Sequence, residues 1–117
     1  MIPRYTTPEM AQLWSERAKL ATWLEVELLA VEAQAQLGWV PAEVARRLRD
    51  RARVPDPERV REVEEQQTHH DVVAFLRVVS EDLGDDARYL HRGLGSSDVV
   101  DTATCVLLVR AADLLLE

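Results

Sequence analysis

The chain has 117 residues, of which 47% are hydrophobic, so it is long enough for one domain with a core. A formal net charge of −7 argues against a nucleic-acid partner, because that binding is supplied by clustered cations. The single cysteine excludes a disulfide or a cysteine-based zinc site within the chain. Nothing resembles a membrane span or a signal peptide, so we expect a cytoplasmic protein without a membrane partner.

The N-terminal third of the sequence predicts a long helical segment. Thr7 is a favoured N-cap before Pro8, and helical periodicity continues to Leu37, where Gly38 would end the helix. Ser15 could begin a second segment within it. The apolar face is broader than one neighbour can cover, so the helix should lie inside a bundle. The core should also contain the three tryptophans, Trp14, Trp23 and Trp39.

Charged residues dominate the next two predicted helices. The first runs from Pro41 to about Arg51, and its arginine-rich end, residues 46–53, resembles a phosphate-binding patch. Acidic residues are scattered around it, so a solvated face is the favoured interpretation. The second is short and should begin after the N-cap Asp56 and end near Gln66.

A polar turn, Thr68-His69-His70-Asp71, stands in front of an apolar helix that should end at Gly84. Imidazole is the side chain whose unperturbed pKa lies near neutral pH, and a carboxylate follows the two rings. These residues could bind an anion or move a proton. Alternatively, Thr68 or Asp71 only caps the helix and the histidines are exposed.

A second polar turn, residues 91–97, precedes the last predicted helix. It contains His91 and Gly95 and ends at Ser96-Ser97, where a helix begins. Free backbone amides, hydroxyl groups and the positive end of the helix dipole could bind an anion there. Plain capping by one of the two serines is the alternative.

The last helix is apolar around nearly its whole circumference. Only three residues between Val99 and Val109 are polar, and Cys105 is expected to be a buried small side chain. No glycine, asparagine or proline ends the helix before Glu117. We therefore expect a fragment of a longer protein, whose other helices or subunits cover this one. No strand pattern appears anywhere, so the fold class should be all-α.

Taken in order, these motifs resemble the N-terminal part of the adenylosuccinate lyase family, in the fumarase/aspartase superfamily. The resemblance covers the whole chain and depends on four segments in the family's spacing: Ile2-Pro3-Arg4-Tyr5 with Pro8-Glu9-Met10, residues 23–27, residues 70–75 and residues 91–103. It implies an N-terminal helical domain in residues 1–93 and the beginning of a long central-bundle helix in residues 94–117.

The resemblance also implies a reaction. Members of the family eliminate fumarate from adenylosuccinate, giving AMP, and from the succinylated aminoimidazole carboxamide ribotide of purine biosynthesis. Both β-eliminations pass through a carbanion next to a carboxylate, which needs fixed donors, and an acid for the leaving nitrogen. The implied partners are a nucleotide substrate and further copies of the chain, in a homotetramer whose sites combine three subunits. No cofactor or metal is expected.

Eight residues match positions that contact substrate in the family. Arg4 and Tyr5 match a pair on the nucleotide side. His70 and Asp71 match a substrate-binding pair, in which His70 orients the substrate or supports proton transfer and Asp71 holds His70 or the nucleotide. Ser96 matches a serine that binds a substrate carboxylate.

The other three are His91, on the phosphate side, and two departures from the family pattern. His69 replaces a permanent arginine cation by a titratable group. Gly95 stands where the family has threonine, so a hydroxyl is lost and a backbone amide remains. The family's principal acid and base, a histidine of a Thr-His motif and a serine of a flexible loop, lie beyond residue 117, so the isolated chain is expected to be inactive.

Two other function classes are compatible with the sequence. A non-catalytic helical interaction module would use the apolar last helix to self-associate without binding nucleotides. A chorismate-mutase-like helical enzyme would need arginines that line a pocket, whereas the arginines here concentrate in residues 46–61. A metal site formed by His69, His70 and His91 is disfavoured, because adjacent histidines point to different sides of a helix or turn.

Overall fold

The computed structural model describes residues 2–117, and these contain α-helices joined by short turns and no strand. The prediction of an all-α fold is confirmed. The helices are α1 (Pro8–Leu13), α2 (Glu16–Gln36), α3 (Ala42–Arg51), α4 (Pro57–Val63), α5 (Asp71–Ser80) and α6 (Ser96–Leu116). Two 3-10 turns cover Pro3–Tyr5 and Gly84–Tyr89, and a π-helical turn covers Glu64–Thr68.

The predicted caps divide the N-terminal segment into two helices. The Thr7 side chain accepts a hydrogen bond from the Met10 amide at 3.3 Å, and Ser15 Oγ accepts one from the Ala18 amide at 3.1 Å. Ser15 is therefore the N-cap of a separate helix, α2, which the sequence had indicated as a possible second segment. Gly38 ends α2 with φ of 79°, a left-handed conformation that favours glycine.

Helix α2 lies at the centre of the fold, where it packs against α6 and α3. Trp23, on α2, is buried, and its ring meets the ring of Phe75 edge to face at 5.5 Å between centroids. The prediction of core tryptophans is wrong for Trp39, which is 71% exposed because it follows the turn at Gly38. It is also wrong for Trp14, which caps the end of the short α1 and is 37% exposed.

The arginine-rich segment is a solvated face paired with acids. Both Asp86 carboxylate oxygens accept hydrogen bonds from the Arg47 guanidinium, at 2.8 and 2.9 Å. This contact lowers the pKa of Asp86 from its usual value. Arg49 pairs with Glu25 and Glu32 of α2 in the same manner. These two guanidinium groups are therefore already paired with acids, whereas a chorismate-mutase-like enzyme needs cations that are free to bind a ligand.

Helix α6 buries one stripe and exposes the rest. Val99, Ala103, Leu107 and Ala111 are buried on the side that faces α1 and α2. Cys105 is exposed, contrary to the prediction, because it lies about 200° around the helix from both Ala103 and Leu107.

The outer side of α6 exposes four large apolar side chains. Leu108 is 54% exposed, Val109 61%, Leu115 78% and Leu116 85%. Within residues 2–117, no helix is both long enough and apolar enough to span a membrane. The radius of gyration is 15.3 Å, above the roughly 13 Å expected of a compact chain of this length. The chain is therefore less compact than a typical globular domain of this length.

Candidate substrate-binding site

The first polar turn begins where α4 widens into the π-helical turn. The His69 amide donates to the Glu64 carbonyl at 2.8 Å, and His69 then reverses the chain with φ of 51°. Thr68 closes the turn, since its hydroxyl donates to the His70 carbonyl at 2.9 Å and accepts from the His70 amide at 3.3 Å. The His69 side chain is exposed. Its contribution to this turn is thus its backbone conformation.

His70, and neither Thr68 nor Asp71, is the N-cap of α5. Its Nδ1 accepts a hydrogen bond from the Val73 amide at 3.3 Å. An imidazole that accepts at Nδ1 carries its proton on Nε2, so this bond assigns the tautomer of the neutral ring.

Asp71 is the first residue of α5 and does not hold the His70 ring. Its Oδ1 accepts a hydrogen bond from the Val72 amide at 2.7 Å, whereas the same oxygen lies 3.6 Å from His70 Nδ1. That separation is too long for a hydrogen bond, and Nδ1 is already an acceptor. The Asp71 carboxylate therefore complements the start of α5.

The second turn is capped by Gly95, so neither serine caps α6 as the alternative interpretation required. The Gly95 amide donates to the Asp98 carboxylate at 2.8 Å, and Ser96 becomes the first residue of α6. Gly95 has φ of −93°, and a Cβ added there would meet its nearest atom at 3.6 Å. A Cβ would therefore fit, and the glycine is not required by the backbone.

The two turns meet although they are 26 residues apart. The Ser96 hydroxyl oxygen lies 3.4 Å from His70 Nε2, the nitrogen that carries the proton in the assigned tautomer. Both groups remain accessible, with the His70 side chain 45% exposed. A hydroxyl group, an imidazole N–H and the N-terminal ends of α5 and α6 therefore lie together. The carboxylates of Asp71 and Asp98 already complement the helix dipoles of α5 and α6. An anionic ligand would therefore be bound mainly by hydrogen bonds from the Ser96 hydroxyl and the His70 ring.

His91 lies in the same turn as Gly95, and its ring contacts a buried acid on the side that faces α2. Glu27, on α2, places Oε1 2.5 Å from His91 Nδ1, and its side chain is 1% exposed. The sequence analysis missed Glu27. A signal was present, because Glu27 is spaced at helical intervals from the buried Trp23 and Val31, on a stripe where a carboxylate is out of place.

Arg4 and Tyr5 lie away from this site within the chain. Both are exposed, with the Arg4 guanidinium carbon 4.9 Å from the centroid of the Tyr5 ring. Tyr5 lines a cavity together with Leu114 and Leu115, near the C-terminal end of α6. Ser96 starts the same helix, and 18 residues of helix correspond to about 27 Å.

Comparison with solved structures identifies the class of fold. The crystal structure of a fumarate lyase from Mesorhizobium superposes with a TM-score of 0.83 and 28% sequence identity, over 92% of this chain and 26% of that one. The chain thus has the helical fold of the fumarate lyase superfamily. No protein-family profile matches the sequence.

Comparison with curated proteins identifies the relatives more narrowly. Over all 117 residues the chain is 50% identical to an adenylosuccinate lyase from Synechocystis and 49% identical to one from Bacillus subtilis, and it spans 27% of each. An adenylosuccinate lyase from Streptococcus mutans is 55% identical over 103 residues. The chain spans about a quarter of the length of these relatives, at their N-terminal end. The resemblance predicted from the motifs is confirmed.

Proposed function

We propose that the chain is the N-terminal part of an adenylosuccinate lyase. In the reaction it would supply hydrogen-bond donors to a carboxylate of the substrate that leaves as part of fumarate. The observation that carries the proposal is the contact between Ser96 Oγ and His70 Nε2. It joins two turns into one site in a chain about half identical, throughout its length, to proteins named adenylosuccinate lyase.

The geometry suits the electronic demand of this β-elimination. Removal of a proton next to a carboxylate leaves a carbanion, whose charge spreads into the carboxylate oxygens before the C–N bond breaks and the nitrogen takes a proton. The Ser96 hydroxyl and the His70 Nε2–H can each donate to one of those oxygens. The donors are fixed before the reaction, because α5 uses His70 Nδ1 as its cap. Under this proposal, the principal acid and base lie in the part of the relatives that this chain does not span.

The remaining predicted contacts fit a site shared between copies of the protein. Tyr5 lines a cavity beside Leu114, which is about 27 Å along α6 from Ser96. Arg4 and Tyr5 would therefore contact the nucleotide in a site to which another copy contributes His70 and Ser96. Such sharing agrees with a homotetramer, in which residues 94–117 begin the central bundle and residues 1–93 form the outer domain. The protein would act in the cytoplasm, on adenylosuccinate and the related succinylated ribotide.

A chimera tests the proposal. The 117-residue chain replaces the matching part of the Bacillus subtilis relative, and fumarate release from adenylosuccinate is followed by ultraviolet absorbance. The chimera should be active and the isolated 117-residue chain inactive. Ser96→Ala should strongly lower kcat/KM, because one donor is removed. Ser97→Ala is the matched control, since Ser97 is an exposed neighbouring hydroxyl.

The uncovered apolar side of α6 favours one other function, a helical interaction module. That alternative predicts a chimera that folds and assembles but releases no fumarate. It also predicts a 117-residue chain that self-associates without binding adenylosuccinate. Equal activity of the Ser96→Ala and Ser97→Ala chimeras would contradict the proposed role of the site while leaving the lyase fold intact.

A further inference from the structure

A buried carboxylate lies behind the second turn. The Glu27 side chain is 1% exposed, and its Oε1 is 2.5 Å from Nδ1 of His91, which is 64 residues further along the chain. Its Oε2 is buried and has no hydrogen-bond partner among residues 2–117. A carboxylate that is removed from water needs a partner. The His91 ring is therefore the group that compensates the burial of this carboxylate.

Helix α2 also holds the backbone of the same turn. His91 has φ of 64°, an unfavourable conformation for a residue with a Cβ, which persists when surrounding contacts maintain it. The contact with Glu27 is one such restraint. A second comes from Gln34, two turns of helix further on, whose side-chain amide donates to the Arg92 carbonyl at 2.9 Å. The position of the ring is thus determined by α2 and not by the turn alone.

The short contact requires a proton between Nδ1 and Oε1. An ionised carboxylate only accepts hydrogen bonds, so the proton of this contact is on Nδ1. The neutral His91 ring then has an unprotonated Nε2. Because Nδ1 lies against a buried carboxylate, the exposed part of the ring, 24% of the side chain, is on the side of Nε2.

We infer that Glu27 is a positioning residue, which holds His91 with its proton on Nδ1 and turns Nε2 away from the buried carboxylate, to the exposed side of the turn. His70 is held in the opposite tautomer, by the Val73 amide. The two neutral rings are thus held in opposite tautomers. The inference that the oriented His91 ring meets a substrate group rests on the proposed function, whereas the tautomer depends only on the contact with Glu27.

Nitrogen-15 NMR of histidine-labelled chain tests the inference without substrate. Long-range proton–nitrogen correlations distinguish a protonated from an unprotonated ring nitrogen, and the three histidines are assigned by substituting each in turn. Spectra of the unmodified chain are compared with those of Glu27→Gln and Glu27→Leu. Glu25→Gln is the matched control, because Glu25 is an exposed acid of the same helix that pairs with Arg49.

In the unmodified chain, Nδ1 of His91 should carry the proton and Nε2 should not, in the neutral ring. Glu27→Leu should shift the ring toward the Nε2–H tautomer, and Glu27→Gln should give a mixture, because an amide can accept or donate. The His70 signals should stay unchanged in both variants, and Glu25→Gln should alter neither ring. Since Glu27→Leu places an apolar group beside His91, Glu27→Gln keeps the test valid if the leucine variant unfolds.

An unprotonated Nδ1 in the unmodified chain would overturn the inference, because Glu27 would then be a carboxylic acid that donates to the ring. So would a His91 tautomer that is the same in all variants. If the tautomer is as stated but the chimera releases no fumarate, the proposed function fails and the role of Glu27 in orienting His91 stands.

Discussion

Removing the imidazole of His91 should destabilise the chain more than removing an ordinary half-buried side chain. Glu27 is 1% exposed and its second oxygen has no partner, so His91→Ala leaves a buried carboxylate unpaired. Leaving a buried polar group without its hydrogen-bond partner costs about 1–3 kcal/mol, and more when the group is charged. Because the His91 side chain is 24% exposed, water can enter the space it leaves. We therefore expect a loss of about 3 kcal/mol.

The cost should depend on the charge, which a double-mutant cycle can isolate. Glu27→Leu removes the carboxylate and leaves the His91 nitrogen without its acceptor, at a cost of about 1–3 kcal/mol. In that background, His91→Ala should cost about 1 kcal/mol or less, since no buried charge remains to be stranded. Urea unfolding, followed by fluorescence of the buried Trp23, gives the four free energies of unfolding. An equal cost of His91→Ala in both backgrounds would refute the explanation that the cost comes from a buried carboxylate left without its donor.

Three further predictions concern the fold and are checked by the same unfolding experiment. Ser15→Ala removes the N-cap of α2 and should cost about 1 kcal/mol. Gly38→Ala forces a Cβ into a left-handed conformation and should cost about 1–2 kcal/mol, whereas Gly95→Ala, at φ of −93°, should change stability by less than about 0.5 kcal/mol. Arg47 lowers the pKa of Asp86 below 3.8, so their pair stabilises the fold above that pH and the effect is lost as pH falls through the lowered pKa. Asp86→Asn should therefore lower the urea midpoint at pH 7, by an amount that shrinks as the pH falls below 3.8.

The positions of most helices could be predicted because their limits are local. Thr7, Ser15 and Asp56 each accept a hydrogen bond from a backbone amide two or three residues later, and such caps can be recognised in a sequence. Gly38 ends α2 for an equally local reason, its positive φ. Where a second candidate competed nearby, the local signal was not sufficient: the ring of His70 caps α5 in place of the Thr68 hydroxyl.

The contacts that form the site depend on the tertiary structure and could not be predicted in the same way. Each turn was recognisable as an anion-competent helix start, but no spacing rule indicates that Ser96 Oγ lies beside His70 Nε2. The burial of Glu27 depends on a partner 64 residues away. Cys105 and Trp39 were assigned to the core by their apolar character, and the rotation of α6 and the turn after α2 place them outside it.

The claim that the two polar turns form one site is tested most directly by a double-mutant cycle on the chimera with the Bacillus subtilis relative. His70→Ala, Ser96→Ala and the double variant are compared by kcat/KM for fumarate release. If both groups hold the same carboxylate, the double variant should lose clearly less than the product of the two single losses, with a coupling of about 0.5–3 kcal/mol. A double variant whose loss equals that product would show two independent groups and contradict the shared site.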